Sequence, residues 1–115
     1  MGLDCLFCRI ISQEIPSDIV YEDDLVLAFR DINPQAPVHI LVIPKRHIPT
    51  IADLEETDKE LMGHIHMVIK DLAEKEGIAQ AGYRVVANCR ESAAQSVFHV
   101  HFHLLGGRSL GWPPG

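Results

Sequence analysis

Between Phe98 and Leu105 the chain alternates strictly: Phe98, Val100, Phe102 and Leu104 share one parity, and His99, His101, His103 and Leu105 share the other. Successive side chains on a β-strand point to opposite faces. The pattern therefore predicts a strand over 98–105, with one face apolar and suited to packing under a helix. Its other face carries three imidazoles. A satisfied surface histidine is the ordinary account of any one of them, but three in strict alternation argue for a shared task.

The remaining pattern places that strand in an α+β chain. Asp4 can cap a short helix running to about Ser12, and Pro16 prevents its continuation. Residues 19–22 and 25–30 are β-leaning runs separated by Asp23-Asp24, a hairpin-like arrangement. Residues 38–43 form an apolar, β-branched strand closed by Pro44. The clearest helix begins at Thr57, where Thr57 and Glu60 match a capping box. Leu61, Ile65, Val68, Ile69 and Leu72 follow at helical spacing, and Gly77 is a natural terminator. His66 falls off that stripe onto the solvated face, and His64 lies at its edge. A further strand is expected over 83–89. The order β-β-β-α-β-β lacks the repeated βαβ units of a doubly wound parallel sheet. It predicts a mainly antiparallel five-stranded sheet with one long and one short helix, as a single domain over 1–115. Residues 109–115, rich in Pro and Gly around Trp112, form an irregular tail.

Composition narrows the class. The 115 residues are 47% hydrophobic and 23% charged, ordinary globular values. A net charge of -6 argues against a nucleic-acid binder that relies on a basic face. No apolar run reaches the ~18 residues of a membrane span, and a charged-then-apolar leader pattern is missing. Three cysteines, an odd number, do not make a secreted disulfide framework. A cytoplasmic domain without a membrane or nucleic-acid partner is the expectation.

Three imidazoles on one strand cannot easily share one ion. The outer two would be ~13 Å apart at Cα, awkward for ligands that need nitrogens ~2.1 Å from a metal. Neighbouring pairs could share one, yet Glu91 is the only carboxylate close in sequence. Acid–base or nucleophilic chemistry is the other option, with one histidine attacking while its neighbours fix its tautomer or bind an anion. His101, flanked on both sides, is the best nucleophile candidate. Ala94-Gln95-Ser96 precedes the strand and can offer backbone N–H groups, an amide and a hydroxyl to developing negative charge. Asp31 reads either as a turn residue or as a site residue, and His39 is equally open. Asn88, polar on an otherwise apolar strand, needs a partner. Cys5 and Cys8, two residues apart, could be redox-active, a disulfide or half a zinc site, with His47 a candidate third ligand. Cys89 has no sequence neighbour to pair with and reads as a packed residue.

His99-Val-His101-Phe-His103-Leu-Leu105 resembles the histidine triad motif, and the resemblance spans nearly the whole chain. It takes in Ile-Pro at 15–16, Leu-Ala-Phe-Arg-Asp-Ile at 27–32, Pro-Gln-Ala-Pro at 34–37 and His39. It continues through Val-Ile-Pro-Lys at 42–45, Arg-Val-Val at 84–86, Gln-Ser-Val at 95–97 and Leu-Gly-Gly-Arg at 105–108. The chain is similar to the purine nucleoside phosphoramidase branch of that family. The resemblance implies a HIT-like fold and a hydrolase in which His101 attacks the α-phosphorus of a purine nucleoside 5′-phosphoramidate. A nucleotidyl-histidine would follow, and water would release it; aminoacyl adenylates are possible related substrates. His39 would belong to the nucleophile's hydrogen-bond network, and His103 and Gln95 would contact the α-phosphate. Ser96 would help protonate the leaving amine, Asp31 would hold the ribose, Ile32 would line the base pocket, and Asn88 would reach the phosphate or ribose. No cofactor is implied for the chemistry. A structural zinc on Cys5, Cys8, His47 and His99 would pin the short helix, and the branch implies a homodimer with the Trp112 tail reaching the partner. The family usually has glycine just before the Gln-Ser step, where this chain has Ala93-Ala94. Other classes in play are a nucleotide-binding scaffold with little turnover and a hydrolase that uses its histidines as zinc ligands.

Overall fold

The computed structural model describes residues 4–115. Five strands form one sheet: β1 (Ile19–Glu22), β2 (Val26–Arg30), β3 (Val38–Pro44), β4 (Tyr83–Val86) and β5 (Phe102–Gly106). Their order is β1-β2-β3-β5-β4, and every neighbouring pair is antiparallel. A short helix, α1 (Leu6–Ile11), and a long one, α2 (Lys59–Lys75), complete the expected set.

The central strands are buried on both sides because each face has a helix. Val26, Ala28, Ile40, Val42, Phe102 and Leu104 pack with Ile65, Val68, Ile69 and Leu72 of α2. Leu27, Phe29, Leu41 and Ile43 point the other way, onto Phe7 and Ile10 of α1. Each of these side chains larger than alanine contributes roughly 1.5–3 kcal/mol of burial. The parity that sends Phe102 and Leu104 under α2 sends His103 to the α1 face, as the alternation requires.

The 98–105 strand needs correcting, since regular pairing begins only at Phe102. Residues 97–99 bend, Phe98 is 45% exposed instead of buried, and the Val100 amide donates to the Ile48 carbonyl at 2.7 Å. The detour takes His99 out of the ladder, where its Nε2 reaches the Pro44 carbonyl at 2.8 Å. β4 likewise stops at Val86, short of the expected Cys89: its register ends with Val86 opposite His103, one residue from the start of β5.

Helix starts also moved. Cys5, not Asp4, caps α1, its sulfur accepting from the Cys8 amide, because the first helical residue is Leu6. The capping box is Glu55 with Asp58, not Thr57 with Glu60. The chain enters α2 through a 3-10 turn, Glu56–Asp58, that swallows Thr57. Asp58 is buried there, accepting from the Glu55 amide at 2.8 Å and pairing with Arg46. Gly77, at φ 77°, ends the helix as expected. Arg30 forks onto the Glu76 carboxylate with two 3.0 Å bonds, tying the end of β2 to the end of α2. His66 is exposed and rests on Phe102, while half-buried His64 bonds Asp23 at 2.6 Å. Among the described residues no helix is long and apolar enough to cross a membrane.

Candidate active site

His39 on β3, His103 on β5 and His101 just before β5 gather on the α1 face of the sheet, with Asp31 at the end of β2. Their partners fix the tautomers, because a carbonyl can only accept and a backbone amide can only donate. Nδ1 of His101 lies 2.8 Å from the His99 carbonyl, so it carries the hydrogen, and the neutral ring keeps its lone pair on Nε2. His39 is the reverse: its Nδ1 accepts from the Gln35 amide at 3.0 Å, so the hydrogen sits on Nε2. That Nε2 lies 2.9 Å from Nδ1 of His103 and 3.4 Å from the Asp31 carboxylate. His103 therefore accepts at Nδ1 and keeps its own N–H on Nε2. The middle imidazole presents a lone pair, and the last presents a donor.

Burial keeps these rings neutral. It lowers the pKa of His39 despite the nearby Asp31 charge, and that of His101 despite its bond to the His99 carbonyl. His103 is held down to about 4 by burial and by the neighbouring His101 and His39. Phe7 of α1 packs edge-on against His101 at 5.1 Å between ring centroids, and the His101 and His103 centroids are 5.0 Å apart.

Beside the histidines opens a cleft of about 260 Å³, lined by Phe7, Ile10, Phe29, Asp31, Ile32, Leu41 and Ser96 among others. Ile32 is 99% exposed at its rim, a large apolar group held in solvent. Asp31 serves as both turn residue and site residue: one oxygen accepts from the Asn33 amide at 2.8 Å while the other faces His39. Ser96 is exposed and lines the same cleft. Asn88 and Ala94 lie elsewhere, lining a second hollow of about 620 Å³ with Trp112 of the tail.

Gln95 is the clearest departure from the expected roles. Its amide nitrogen donates to the Pro49 and Val97 carbonyls, its oxygen accepts from the Arg90 amide, and the residue is 5% exposed. Both amide hydrogens are committed to shaping the loop, so the side chain has no donor left for a phosphate. Ala94 does stand where a glycine would be easier, at φ 63°, and Arg90 is left-handed as well at φ 68°. Phe7, Gln35 and Arg108 join the site's surroundings without any signal in a histidine pattern. Gln35 acts through its main chain, which no side-chain motif records.

Cys5, Cys8, His47 and His99 bring four donor atoms within 4.8 Å of one another. Nε2 of His99 donates to the Pro44 carbonyl, so its Nδ1 lone pair points at Cys5 Sγ (3.3 Å), Cys8 Sγ (3.6 Å) and His47 Nδ1 (3.1 Å). Donors on one tetrahedral zinc ion stand roughly 3.3–3.8 Å apart, so the set fits. A carbonyl behind a ligating histidine is the usual outer partner. Burial and the neighbouring Cys5 thiol push Cys8 up to about 11, which a bound cation would reverse. Asp31, His39 and His103 also lie within 4.8 Å. There the Gln35 amide makes His39 bring a hydrogen, not a lone pair, so the group forms a proton network.

Fold and site define a small α+β protein whose antiparallel sheet carries a lone-pair imidazole and a donor imidazole beside an apolar cleft. The chain belongs to the HIT domain family, whose pattern matches residues 12–110. It is 54% identical over 115 residues to an uncharacterized HIT-like protein of Synechococcus elongatus, covering 100% of both chains. It is 52% identical over 111 residues to the purine nucleoside phosphoramidase of Escherichia coli, covering 96% of this chain and 93% of that one. The crystal structure of a HIT family hydrolase from Legionella pneumophila superposes with a TM-score of 0.95 at 53% identity, over 96% of this chain and 99% of the other.

Proposed function

We propose that this protein hydrolyses the P–N bond of purine nucleoside 5′-phosphoramidates, with aminoacyl adenylates as related substrates, through a covalent nucleotide on His101. The observation that carries the reading is the Nδ1 bond of His101 to the His99 carbonyl, which leaves Nε2 as a fixed, unprotonated nucleophile. The similarity to the Escherichia coli phosphoramidase supports the substrate class.

In the first step Nε2 attacks the α-phosphorus, and the bond to the amine breaks as the bond to imidazole forms. The amine departs with a proton taken from solvent and passed through the Ser96 hydroxyl, which accepts one as it gives one up, while the N–H of neutral His103 hydrogen-bonds a phosphoryl oxygen and keeps its proton. Water then attacks the same phosphorus, releasing the nucleoside 5′-monophosphate and restoring the free ring. Charge in such a transfer is spread over the phosphoryl oxygens, so positioning and donors supply much of the rate. Asp31 would accept from the ribose hydroxyls, and the base would lie in the cleft against Ile32 and Phe29. Asn88 and Ala94 face the tail-side hollow, so their contact with a nucleotide requires the ligand or the tail to extend there.

Cys5, Cys8, His47 and His99 would hold a structural zinc that pins α1 to the sheet and stays outside the reaction. Trp112, 82% exposed, and the β4 edge fit a homodimer in which the tail meets a second copy. The protein acts in the cytoplasm in this reading.

Phosphorus NMR of an adenosine 5′-phosphoramidate incubated with the protein tests the activity. Conversion to the monophosphate by the wild type, and none by His101→Ala with nucleotide binding retained, is the expected pair. Binding without turnover by the wild type would instead make the protein a nucleotide-binding scaffold.

A further inference from the structure

Directly after β5 the chain turns through Gly107, at φ +91°, where a Cβ would sit 2.9 Å from Cβ of Pro37. Only glycine passes this close to the 31–37 loop. The turn delivers Arg108 to that loop, where its Nε and Nη2 both donate to the Gln35 carbonyl, at 3.1 and 2.9 Å. Its Nη1 donates to the Ser109 carbonyl at 2.8 Å, so the fork is braced on its own strand's continuation. A guanidinium bidentate on one neutral carbonyl is a directional clamp that a point charge cannot reproduce.

The clamped residue is the one whose amide meets Nδ1 of His39. Neutral imidazole can carry its hydrogen on either nitrogen, and the hydrogen bond made at the other nitrogen sets which. With the amide in place, His39 holds its hydrogen on Nε2 and donates to His103, whose own N–H then faces outward. If the amide drifts, His39 can place the hydrogen on Nδ1, and the relay to His103 reverses or breaks.

We propose that Arg108 is a positioning residue: by gripping Gln35 it holds the Gln35 amide on His39 and so fixes the tautomers of His39 and His103. The proposal deepens the phosphoramidase reading and rests on it for its kinetic consequence, though not for the tautomer itself.

Long-range nitrogen-15 NMR of the imidazoles, in wild type, Arg108→Gln and Arg108→Lys, reads the tautomers directly. The wild type should show His39 as a single Nε2–H form. Arg108→Gln should show a mixture, with kcat down roughly tenfold and KM changed by less than about twofold, since Arg108 does not line the nucleotide cleft. Arg108→Lys, with an ammonium in place of the fork, should lie between. Gln35→Pro removes the amide hydrogen itself and should shift His39 in the same direction. The proposal is overturned if Arg108→Gln keeps the single wild-type tautomer, if the wild type holds the hydrogen on Nδ1, or if KM rises with kcat and tautomer unchanged. Should Gln35→Pro not fold, the two Arg108 variants still decide. Should the wild type fail to cleave phosphoramidates, the substrate reading falls while the spectra still judge the clamp.

Discussion

Nδ1 of His101 lies 2.8 Å from the carbonyl oxygen of His99, so one member of the triad aims the next through its main chain. The side chain of His99, meanwhile, turns away to the cysteines and the Pro44 carbonyl. The bend that breaks the strand before Phe102 therefore divides the three histidines between two places. His99 joins Cys5, Cys8 and His47, while His101 and His103 stay on the α1 face, the former with a lone pair on Nε2 and the latter bonded to His39. His101 is 5% exposed, yet its neighbours are Phe7 and His103, not the aliphatic layer under α2.

Replacing His101 by Ala should abolish turnover while stability falls by on the order of 1–3 kcal/mol, because the ring packs on Phe7 but bears no core cluster. Steady-state rates and urea unfolding check this. Wild-type turnover in the variant would remove His101 as nucleophile.

Acid should destabilise the fold from about pH 6.5 downward. The half-buried ring of His103 is held down to about 4 against an ordinary value of 6.5, and the buried rings of His39 and His101 are lowered as well. Above 6.5 both folded and unfolded chains are neutral at these rings. Between 6.5 and about 4 the unfolded chain takes up protons that the folded one refuses, so stability drops as pH falls. Thermal midpoints should be flat from pH 7 to 8 and decline below about 6.5, with a shallower slope in His103→Gln. A midpoint that rises on acidification contradicts the burial argument.

Zinc analysis of the purified protein should give about one ion per chain, lost in Cys8→Ser. Chelation should lower the melting temperature by about 5 °C or more and leave kcat within about twofold, since the set holds α1 and not the substrate. A metal-free protein whose melting is indifferent to chelator and to added zinc would rule the site out.

Arg90 and Ala94 occupy left-handed backbone, at φ 68° and 63°. Arg90, with ψ -173°, lies in a region essentially reserved for glycine. Arg90→Gly should stabilise the protein by about 1 kcal/mol, the relief of strain outweighing the entropy glycine adds to the unfolded chain. Differential scanning calorimetry measures it, and a clear loss of stability would show the loop relaxed as it stands.

Much of this architecture was legible in the chain. Apolar runs at 19–22 and 38–43, the helical stripe from Leu61 to Leu72, and the parity of 102–105 correspond to β1, β3, α2 and β5. They were readable because burial on a defined face forces periodicity. The placement of His99 beside Cys5, Cys8 and His47 surfaced through resemblance, since strand alternation alone places it beside His101. What stayed hidden were groups whose effect is local or main-chain. The Glu55–Asp58 box depends on a 3-10 turn that Thr57 does not signal. The Gln95 amide looks like a ligand donor in sequence and is a loop brace in space. The Gln35 N–H is a backbone atom that every non-proline residue has, and only its placement against His39 makes it matter.

Intact-protein mass spectrometry during turnover of an adenosine 5′-phosphoramidate, quenched rapidly, tests the nucleophile most directly. A transient mass gain of one adenylyl group that peptide mapping places on His101, and that disappears in His101→Ala, is the expected result. An adduct on another residue, or full turnover with no adduct at any quench time, would contradict covalent catalysis by that ring.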